Sequence, residues 1–170
     1  SRALEQPETI VRPRVVVETG SYQGQLSVLL PGLFERVISI ELSDHLFSRL
    51  PQNASVQWIQ GHSRVVVREL ARSLDEPVFW YLDAHYFDKP HVAGAFTFPL
   101  WDELAAIRCR GYADIVMVDD VHTFGMQRGD EFGPWELVSA ESIRSHVESM
   151  ENPVVCQRQI GDAWVFWKRG

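Results

Sequence analysis

The strongest constraint on the fold of this chain is an apolar strand that runs directly into a glycine-rich turn. Three valines, residues 15–17, are followed by the run Glu18-Thr-Gly20-Ser-Tyr-Gln-Gly24. A glycine turn between a strand and a helix allows backbone amides to approach a ligand closely. A second apolar strand, about 20 residues further on, ends in Glu41, where a carboxylate can hold both hydroxyls of a ribose. This layout predicts an α/β domain that binds a nucleoside.

Length and composition narrow the class of protein. The chain has 170 residues, 45% of them hydrophobic and 23% charged, which suits one globular domain with a substantial core. The net charge of −7 disfavours a non-specific role on nucleic acids or membrane surfaces, and no apolar run approaches the length of about 20 residues that a membrane span needs. No secretory signal opens the sequence, and Cys109 and Cys156 match no metal or redox motif. We therefore expect a cytoplasmic protein with buried, reduced thiols.

Strands and helices alternate along the chain after an extended lead-in over residues 1–14. We expect strands over residues 14–18, 36–41, 55–60, 78–82 and 114–118, and helices over residues 23–30, 44–50, 63–73, 99–110 and 134–151. The segments 154–159 and 163–168 flank Gly161-Asp162, which is typical of a β-hairpin. Five β–α units followed by a hairpin predict one α/β domain over residues 15–170, with a mostly parallel, seven-stranded sheet and an antiparallel hairpin at its C-terminal end.

The polar clusters of interest all follow predicted strands. They are Glu18, Glu41, residues 61–63, residues 83–85 and residues 119–122. Because ligands in open parallel sheets bind at the carboxyl ends of the strands, we expect these clusters to meet in one site. The structural alternative is that the acids cap the following helices or bind loop amides.

These features together resemble the class I S-adenosylmethionine-dependent methyltransferases, over most of the chain. Within that superfamily the sequence is most similar to the small metal-dependent O-methyltransferases of the catechol type and to those that methylate natural-product sugars. The resemblance implies a single-domain, Rossmann-like methyltransferase fold and O-methylation of a small hydroxylated acceptor. Three segments carry it: the turn over residues 18–24, Gly61-His62-Ser63, and Leu82-Asp83 with Val118-Asp119-Asp120.

The resemblance also implies which residues hold S-adenosylmethionine. In that family the turn after the first strand lies under the methionine part of the cofactor, the acid after the second strand binds the ribose, and the segment after the third lies beside the adenine. The cofactor-binding residues on this basis are Glu18, Gly20, Ser21, Tyr22, Gly24, Glu41, Leu42, Gly61, His62, Ser63 and Asp83.

The metal-dependent members of the family bind a divalent ion after the fourth and fifth strands, which assigns a metal site to Asp83, Asp119 and Asp120. Carboxylates at adjacent strand ends repel one another when ionised, and Mg²⁺ relieves that repulsion and suits oxygen ligands. Such an ion would lower the pKa of an acceptor hydroxyl and hold it in line with the methyl group.

The chain also departs from the catechol-type pattern. Tyr86 stands where those enzymes carry a lysine base, and the serine of the glycine motif comes one residue late, at Ser27. His85 or Lys89 could replace that lysine. We expect His85 to act as the catalytic base, together with Asp83, because the pKa of histidine lies nearest to neutrality.

Two other functions remain open on the sequence alone. The replacement of the lysine by Tyr86 favours a non-catalytic module that binds S-adenosylmethionine or a nucleoside. A metal-dependent hydroxylase on the same scaffold would use His85 and His122 with the aspartates to hold Fe²⁺ or Zn²⁺. For partners we expect a small molecule, neither nucleic acid nor membrane, and a homo-oligomer in which a second subunit supplies the substrate-binding elements that the short lead-in lacks.

Overall fold

The computed structural model describes residues 11–84, 98–127 and 134–169. Its seven strands are β1 (Val15–Thr19), β2 (Arg36–Glu41), β3 (Val56–Gln60), β4 (Val78–Leu82), β5 (Ile115–Val118), β6 (Val154–Ile160) and β7 (Ala163–Lys168). Its α-helices are α1 (Asp44–Phe47), α2 (Ser63–Ser73), α3 (Leu100–Arg108) and α4 (Ala140–Val147), and short 3₁₀ turns lie at Leu30–Gly32, Val121–Thr123 and Trp135–Leu137.

The strands form one sheet in the order β3-β2-β1-β4-β5-β7-β6. Strands β1 to β5 pair in parallel, whereas β7 pairs antiparallel with both β5 and β6. The strand order reverses between β1 and β4, and this topological switch is where open α/β sheets bind ligands. The predicted fold class is confirmed: one α/β domain with a mostly parallel, seven-stranded sheet and a C-terminal antiparallel hairpin.

Alternation along the central strands explains the two cores. Val15 and Val17 face the larger core, between the sheet and α2, α3 and α4, whereas Val16 faces a smaller cluster with Val37 and Val56. Successive side chains of a strand point to opposite faces, so a fully apolar β1 requires cover on both sides of the sheet. Each buried Val or Leu contributes roughly 1.5–3 kcal/mol, and this burial fixes where the strands end.

The helix predicted over residues 23–30 is wrong. Those residues form successive turns that lead into the 3₁₀ turn Leu30–Gly32. Gly24 has a φ of +72°, outside the helical region, and Pro31 lacks an N–H donor. The stretch between them is too short for a regular helix to propagate.

Two other helices are shorter than predicted. The first, α1, stops at Phe47 instead of reaching residue 50. The last helix begins only at Ala140, because Ser139 and Ser142 form a reciprocal capping box there, and the residues before it include the separate 3₁₀ turn Trp135–Leu137.

The burial predicted for the two thiols is also wrong, since Cys109 and Cys156 are both free and exposed. Cys109 follows the exposed end of α3, and Cys156 lies on β6, one of the two edge strands of the sheet. In the described part of the chain, none of the helices combines the length and apolarity that crossing a bilayer would demand.

Candidate cofactor site

The turn after β1 is held against the ends of both neighbouring strands. The backbone N–H groups of Gly20 and Ser21 each donate to the carbonyl of Ile40 at 3.0 Å. Gly20 has a φ of +83°, and a Cβ atom at this position would lie 2.3 Å from the carbonyl oxygen of Asp83. Glycine is therefore required here by the close approach of the backbone after β4, a contact within the chain that sequence reasoning did not foresee.

Gly24 closes the same turn by packing against the β2–β3 connection. A Cβ atom on Gly24 would lie 2.8 Å from Cδ of Pro51 and 2.9 Å from the indole ring of Trp58. Both glycines thus bring the turn close to its neighbours, and the exposed residue between them, Tyr22, also adopts a positive φ, of 50°.

Glu18 lies at the centre of a buried hydroxyl network. Its Oε2 accepts hydrogen bonds from the hydroxyls of Ser27 and Ser39, and Ser21 Oγ lies 2.6 Å from Ser39 Oγ. Only 2% of the Glu18 surface is exposed. Burial raises the pKa of Glu18, while the hydrogen bonds from Ser27 and Ser39 oppose that rise. The network holds this carboxyl group in a fixed orientation under the turn.

Ser39 was missed by sequence reasoning, although it was visible as the one hydroxyl within an apolar strand. The register of the sheet places Ser39 directly beside Glu18, and Ser39 is fully buried. A buried hydroxyl needs a hydrogen-bond partner, so a serine within an interior strand points to a polar neighbour on the adjacent strand.

Glu41 joins the end of β2 to the turn after β1. Its Oε2 accepts from the backbone N–H of Tyr22 and its Oε1 from that of Ser43, both at 2.8 Å. The residue is 3% exposed, and Leu42 beside it is partly buried. Each carboxylate oxygen has two lone-pair directions, so the two backbone bonds orient the group and leave it able to accept from two further donors.

The segment after β3 lies next to Glu41. The N–H of Gly61 donates to the carbonyl of Glu41 at 2.9 Å. His62 occupies the N-cap position of α2, where its carbonyl accepts from Val65 and Val66. Ser63, which begins α2, is 4% exposed. The predicted methionine, ribose and adenine segments therefore meet along one edge of the sheet.

A second cluster, of acids, follows β4 and β5. The backbone N–H of Asp83 donates to both the carbonyl and the hydroxyl oxygen of Thr19, at 3.1 and 3.2 Å. The side chain of Asp119 accepts from the hydroxyl of Tyr81. Burial is the main reason that the pKa of Asp83 rises to about 8, and the nearby carboxylates Asp119, Asp120, Glu18 and Glu103 raise it further.

Burial, the hydrogen bond to Asp119 and the charges of Asp83, Asp119 and Glu18 also raise the pKa of Tyr81 far above its usual value. Among the described residues, the charges that raise the pKa of Asp83 are thus all negative. A site of this kind favours the arrival of a cation or of a proton-donating ligand.

The geometry of the acids differs from the predicted metal site. Among the described residues, the group whose ligand atoms all lie within 4.8 Å of one another is Asp120, His122 and Asp162. Asp83, Asp119 and Asp120 interact electrostatically but do not form so compact a group in this part of the chain. Their role as metal ligands stays a prediction, and the predicted base His85 lies outside the described residues.

His122 and Asp162 link the loop after β5 to the β6–β7 turn. His122 Nδ1 lies 2.5 Å from Asp162 Oδ2, and the backbone N–H of His122 donates to Asp162 Oδ1 at 2.9 Å. Both side chains are about half exposed. Their hydrogen bond lowers the pKa of Asp162, so this contact is typical of a surface ion pair.

Comparison with known proteins bears on the fold. No family model and no curated protein match the sequence. SMU.1697c from Streptococcus mutans, a candidate methyltransferase solved in complex with SAH, is 11% identical, with a TM-score of 0.57 over 94% of this chain and 91% of its own. PH0226 from Pyrococcus horikoshii OT3 is 13% identical, with a TM-score of 0.55 over 92% of this chain and 81% of its own.

A structure described for the conversion of a disulfide bond into a thioacetal group during echinomycin biosynthesis is 14% identical. Its TM-score is 0.58, over 91% of this chain and 74% of its own. At such identities a structural likeness establishes the fold, and with the strand order above it gives this chain the Rossmann-like fold of the class I methyltransferases.

Proposed function

We propose that this protein is an S-adenosylmethionine-dependent methyltransferase that methylates a hydroxyl oxygen of a small acceptor. The observation that carries the proposal is the geometry of Glu41, whose buried carboxylate is oriented by backbone N–H groups from two different loops. A carboxylate held in this way at the second strand end suits the two hydroxyls of a ribose. The SAH bound to the Streptococcus mutans protein of the same fold supports a sulfur nucleoside as the ligand.

The residues of the chain would divide the work by position. Glu41 would accept from the ribose hydroxyls, and the segment from Gly61 to Ser63 would lie beside the base. The turn that begins at Gly20 would hold the methionine end, supported from below by the Glu18 network. Methyl transfer is a single displacement, so the protein contributes mainly by alignment of the acceptor oxygen and removal of its proton.

We further propose a divalent cation as an aid to deprotonation, as in the catechol-type enzymes that the sequence resembles. The donor set fits, because Asp83, Asp119 and Asp120 offer hard oxygen ligands, and a cation would offset the repulsion from Asp119 and Asp120 that helps to raise the pKa of Asp83. When bound, Mg²⁺ would supply Lewis acidity toward the acceptor hydroxyl. His85, two residues after Asp83 in the sequence, remains the proposed base.

Calorimetric titration with SAH tests the identity of the cofactor, and titration with NAD is the control. We expect a Kd on the order of 1–100 µM for SAH and no binding of NAD. Glu41→Gln should weaken SAH binding by more than about tenfold, because one ribose acceptor becomes a donor. Glu35→Gln is the matched control, since Glu35 lies just before the other end of β2 and pairs with Arg14 at the surface. Equal SAH affinity in both variants would refute the assignment of Glu41.

The acceptor and the metal require a turnover assay. Transfer of a labelled methyl group to a panel of phenols and sugars should require Mg²⁺ and should cease in EDTA. Asp119→Asn should abolish the Mg²⁺-dependent turnover while leaving SAH affinity within a few-fold of wild type. Activity that survives EDTA would refute the proposed metal requirement. SAH binding without turnover of any acceptor would favour the non-catalytic module.

A further inference from the structure

Glu103 is a fully buried acid that no role described so far explains. It lies in the first turn of α3 and has no exposed surface. An acid in the first turn normally stabilises a helix through its dipole while facing water, and its neighbour Asp102 does so, 3.7 Å from Arg64. Glu103 instead points into the interior, where an acid is rarely found unless it is paired.

The polar groups that act on the Glu103 carboxyl belong to the cofactor site. They are the hydroxyls of Ser63 and Thr19, from the start of α2 and the end of β1. Neither hydroxyl reaches full hydrogen-bonding geometry, since both carboxyl oxygens are buried without such a partner among the described residues. The hydroxyl groups offset only part of the cost of burial, and the pKa of Glu103 rises to about 7. The carboxyl therefore has unused capacity to accept hydrogen bonds.

Thr19 connects this acid to Asp83. Its hydroxyl oxygen accepts from the backbone N–H of Asp83 at 3.2 Å, which leaves the hydroxyl proton free to be donated in another direction. The Glu103 carboxyl, on which this hydroxyl acts, is able to accept that proton. The carbonyl of Asp83 in turn lies against Gly20, so the position of Asp83 is set by the same few contacts that shape the cofactor turn.

We propose that Glu103 is a positioning residue of the cofactor site, which orients the Thr19 hydroxyl beneath Asp83 and the Ser63 hydroxyl at the start of α2. The inference rests on the proposed function in one respect, that the site binds S-adenosylmethionine. Glu103 thus helps to hold the ends of β1, β4 and α2 in the arrangement that receives the cofactor.

The test separates positioning from simple structural support. Glu103→Gln preserves shape but presents a buried donor to the two hydroxyls, so we expect SAH affinity to fall about tenfold. The same substitution removes an ionisable buried group, so the melting temperature at pH 8 should stay constant or rise. A structural role would lower affinity and melting temperature together. Asp102→Asn, one residue away on the same helical turn, is the control and should leave SAH affinity unchanged.

A double-mutant cycle tests the route through Thr19. Thr19→Val should weaken SAH binding, Thr19→Ser should restore it, and Glu103→Gln added to Thr19→Val should cause little further loss. Additive losses, or an affinity within twofold of wild type for Glu103→Gln, would overturn the proposal.

Amide hydrogen exchange of the ligand-free protein tests the role of Glu103 independently of the proposed function. The Asp83 amide should exchange several-fold faster in Glu103→Gln than in wild type, whether or not SAH binds. Failure of the wild type to bind SAH would refute the proposed function alone. An unchanged Asp83 exchange rate would refute the role of Glu103 alone.

Discussion

Buried charge differs between the two ends of the parallel strands. At the amino edge, where these strands begin, the guanidinium of Arg110 is paired with the buried Asp114 at 2.8 Å. At the carboxyl edge, where these strands end, the charges of described residues that raise the pKa of Asp83 belong to other carboxylates. Buried charges that are paired hold a structure together, whereas buried charges of one sign cost stability until a ligand or proton compensates them. The contrast indicates which edge maintains the fold and which edge binds.

Arg110 uses all five of its N–H donors. Two go to Asp114, and the others go to the carbonyls of Ala71, Leu74 and Glu76. These carbonyls lie at the end of α2 and just beyond it, so one side chain closes the last turn of α2 and fixes the connection to β4. Asp114 also accepts from the N–H of Val78, the first residue of β4.

Replacement of Arg110 should have the largest effect of any single change discussed. Arg110→Met leaves Asp114 buried without its cation and three carbonyls without donors, which should cost about 3–5 kcal/mol of the free energy of unfolding. Urea unfolding monitored by circular dichroism measures this cost. Arg108→Met, on the exposed side of the same helix end, is the control. A loss below about 1 kcal/mol for Arg110→Met would break the contrast between the edges.

Gly20 at the carboxyl edge should come next. A methyl group there meets the carbonyl of Asp83 at 2.3 Å, on a backbone with a φ of +83°, and we expect Gly20→Ala to lower the free energy of unfolding by about 3 kcal/mol. The glycine pattern alone predicts instead that bulk here would only exclude a ligand. Gly111→Ala, where a Cβ meets nothing within 4 Å, is the control. A stable Gly20→Ala protein that fails to bind SAH would instead indicate that the space beside Gly20 is needed for the ligand.

The fold could be predicted because its signals are local. Apolar runs that end in acids or glycine marked β1 to β5 to within about a residue, and the positions of the acids then followed from the parallel topology. The helix over residues 23–30 failed because the backbone angle at Gly24 depends on its contacts with Pro51 and Trp58, which are distant in sequence.

The side-chain contacts within the site could not be predicted, because they depend on strand register and on packing between helices. Glu18 meets Ser39 only because β1 and β2 pair in one particular register. Glu103 has the sequence context of an ordinary helix-start acid, and only the packing of α3 against α2 turns it inward. Which acid is buried is therefore knowledge that only the three-dimensional structure supplies.

The pH dependence of stability should show both edges at once. Glu103 and Asp83 have pKa values of about 7 and about 8, above their ordinary 4.5 and 3.8. The folded protein therefore keeps these protons to a higher pH than the unfolded chain does, and the free energy of unfolding should fall by several kcal/mol as the pH rises from 5 to 8. Burial lowers the pKa of Lys168 to about 8 from 10.5, so this group makes the free energy of unfolding rise between pH 8 and 10.

Measuring the free energy of unfolding against pH for two variants tests which edge causes the fall and which edge causes the rise. Glu103→Gln should make the fall between pH 5 and 7 less steep, should leave the part that Asp83 causes, and should not change the rise above pH 8. Lys168→Met should remove that rise, because the group with the lowered pKa is then absent. Lys168 lies at the amino edge, where it donates to the carbonyls of Ile107 and Arg110. If both variants changed the same part of the curve, the two edges would not be electrostatically separate.

The smallest effect should come from the ion pair that joins the two loops at the edge of the site. His122 and Asp162 are about half exposed, so water and salt screen their attraction. Asp162→Asn should lower the melting temperature at pH 6 by about 1 °C or less in low salt, and by nothing measurable in 1 M NaCl. The pKa of Asp162 is lowered by His122, so this contribution is present above the ordinary pKa of aspartate and is lost as the pH falls through the lowered value. A loss as large as that of Arg110→Met would mean that the carboxyl edge also holds the fold through paired charge.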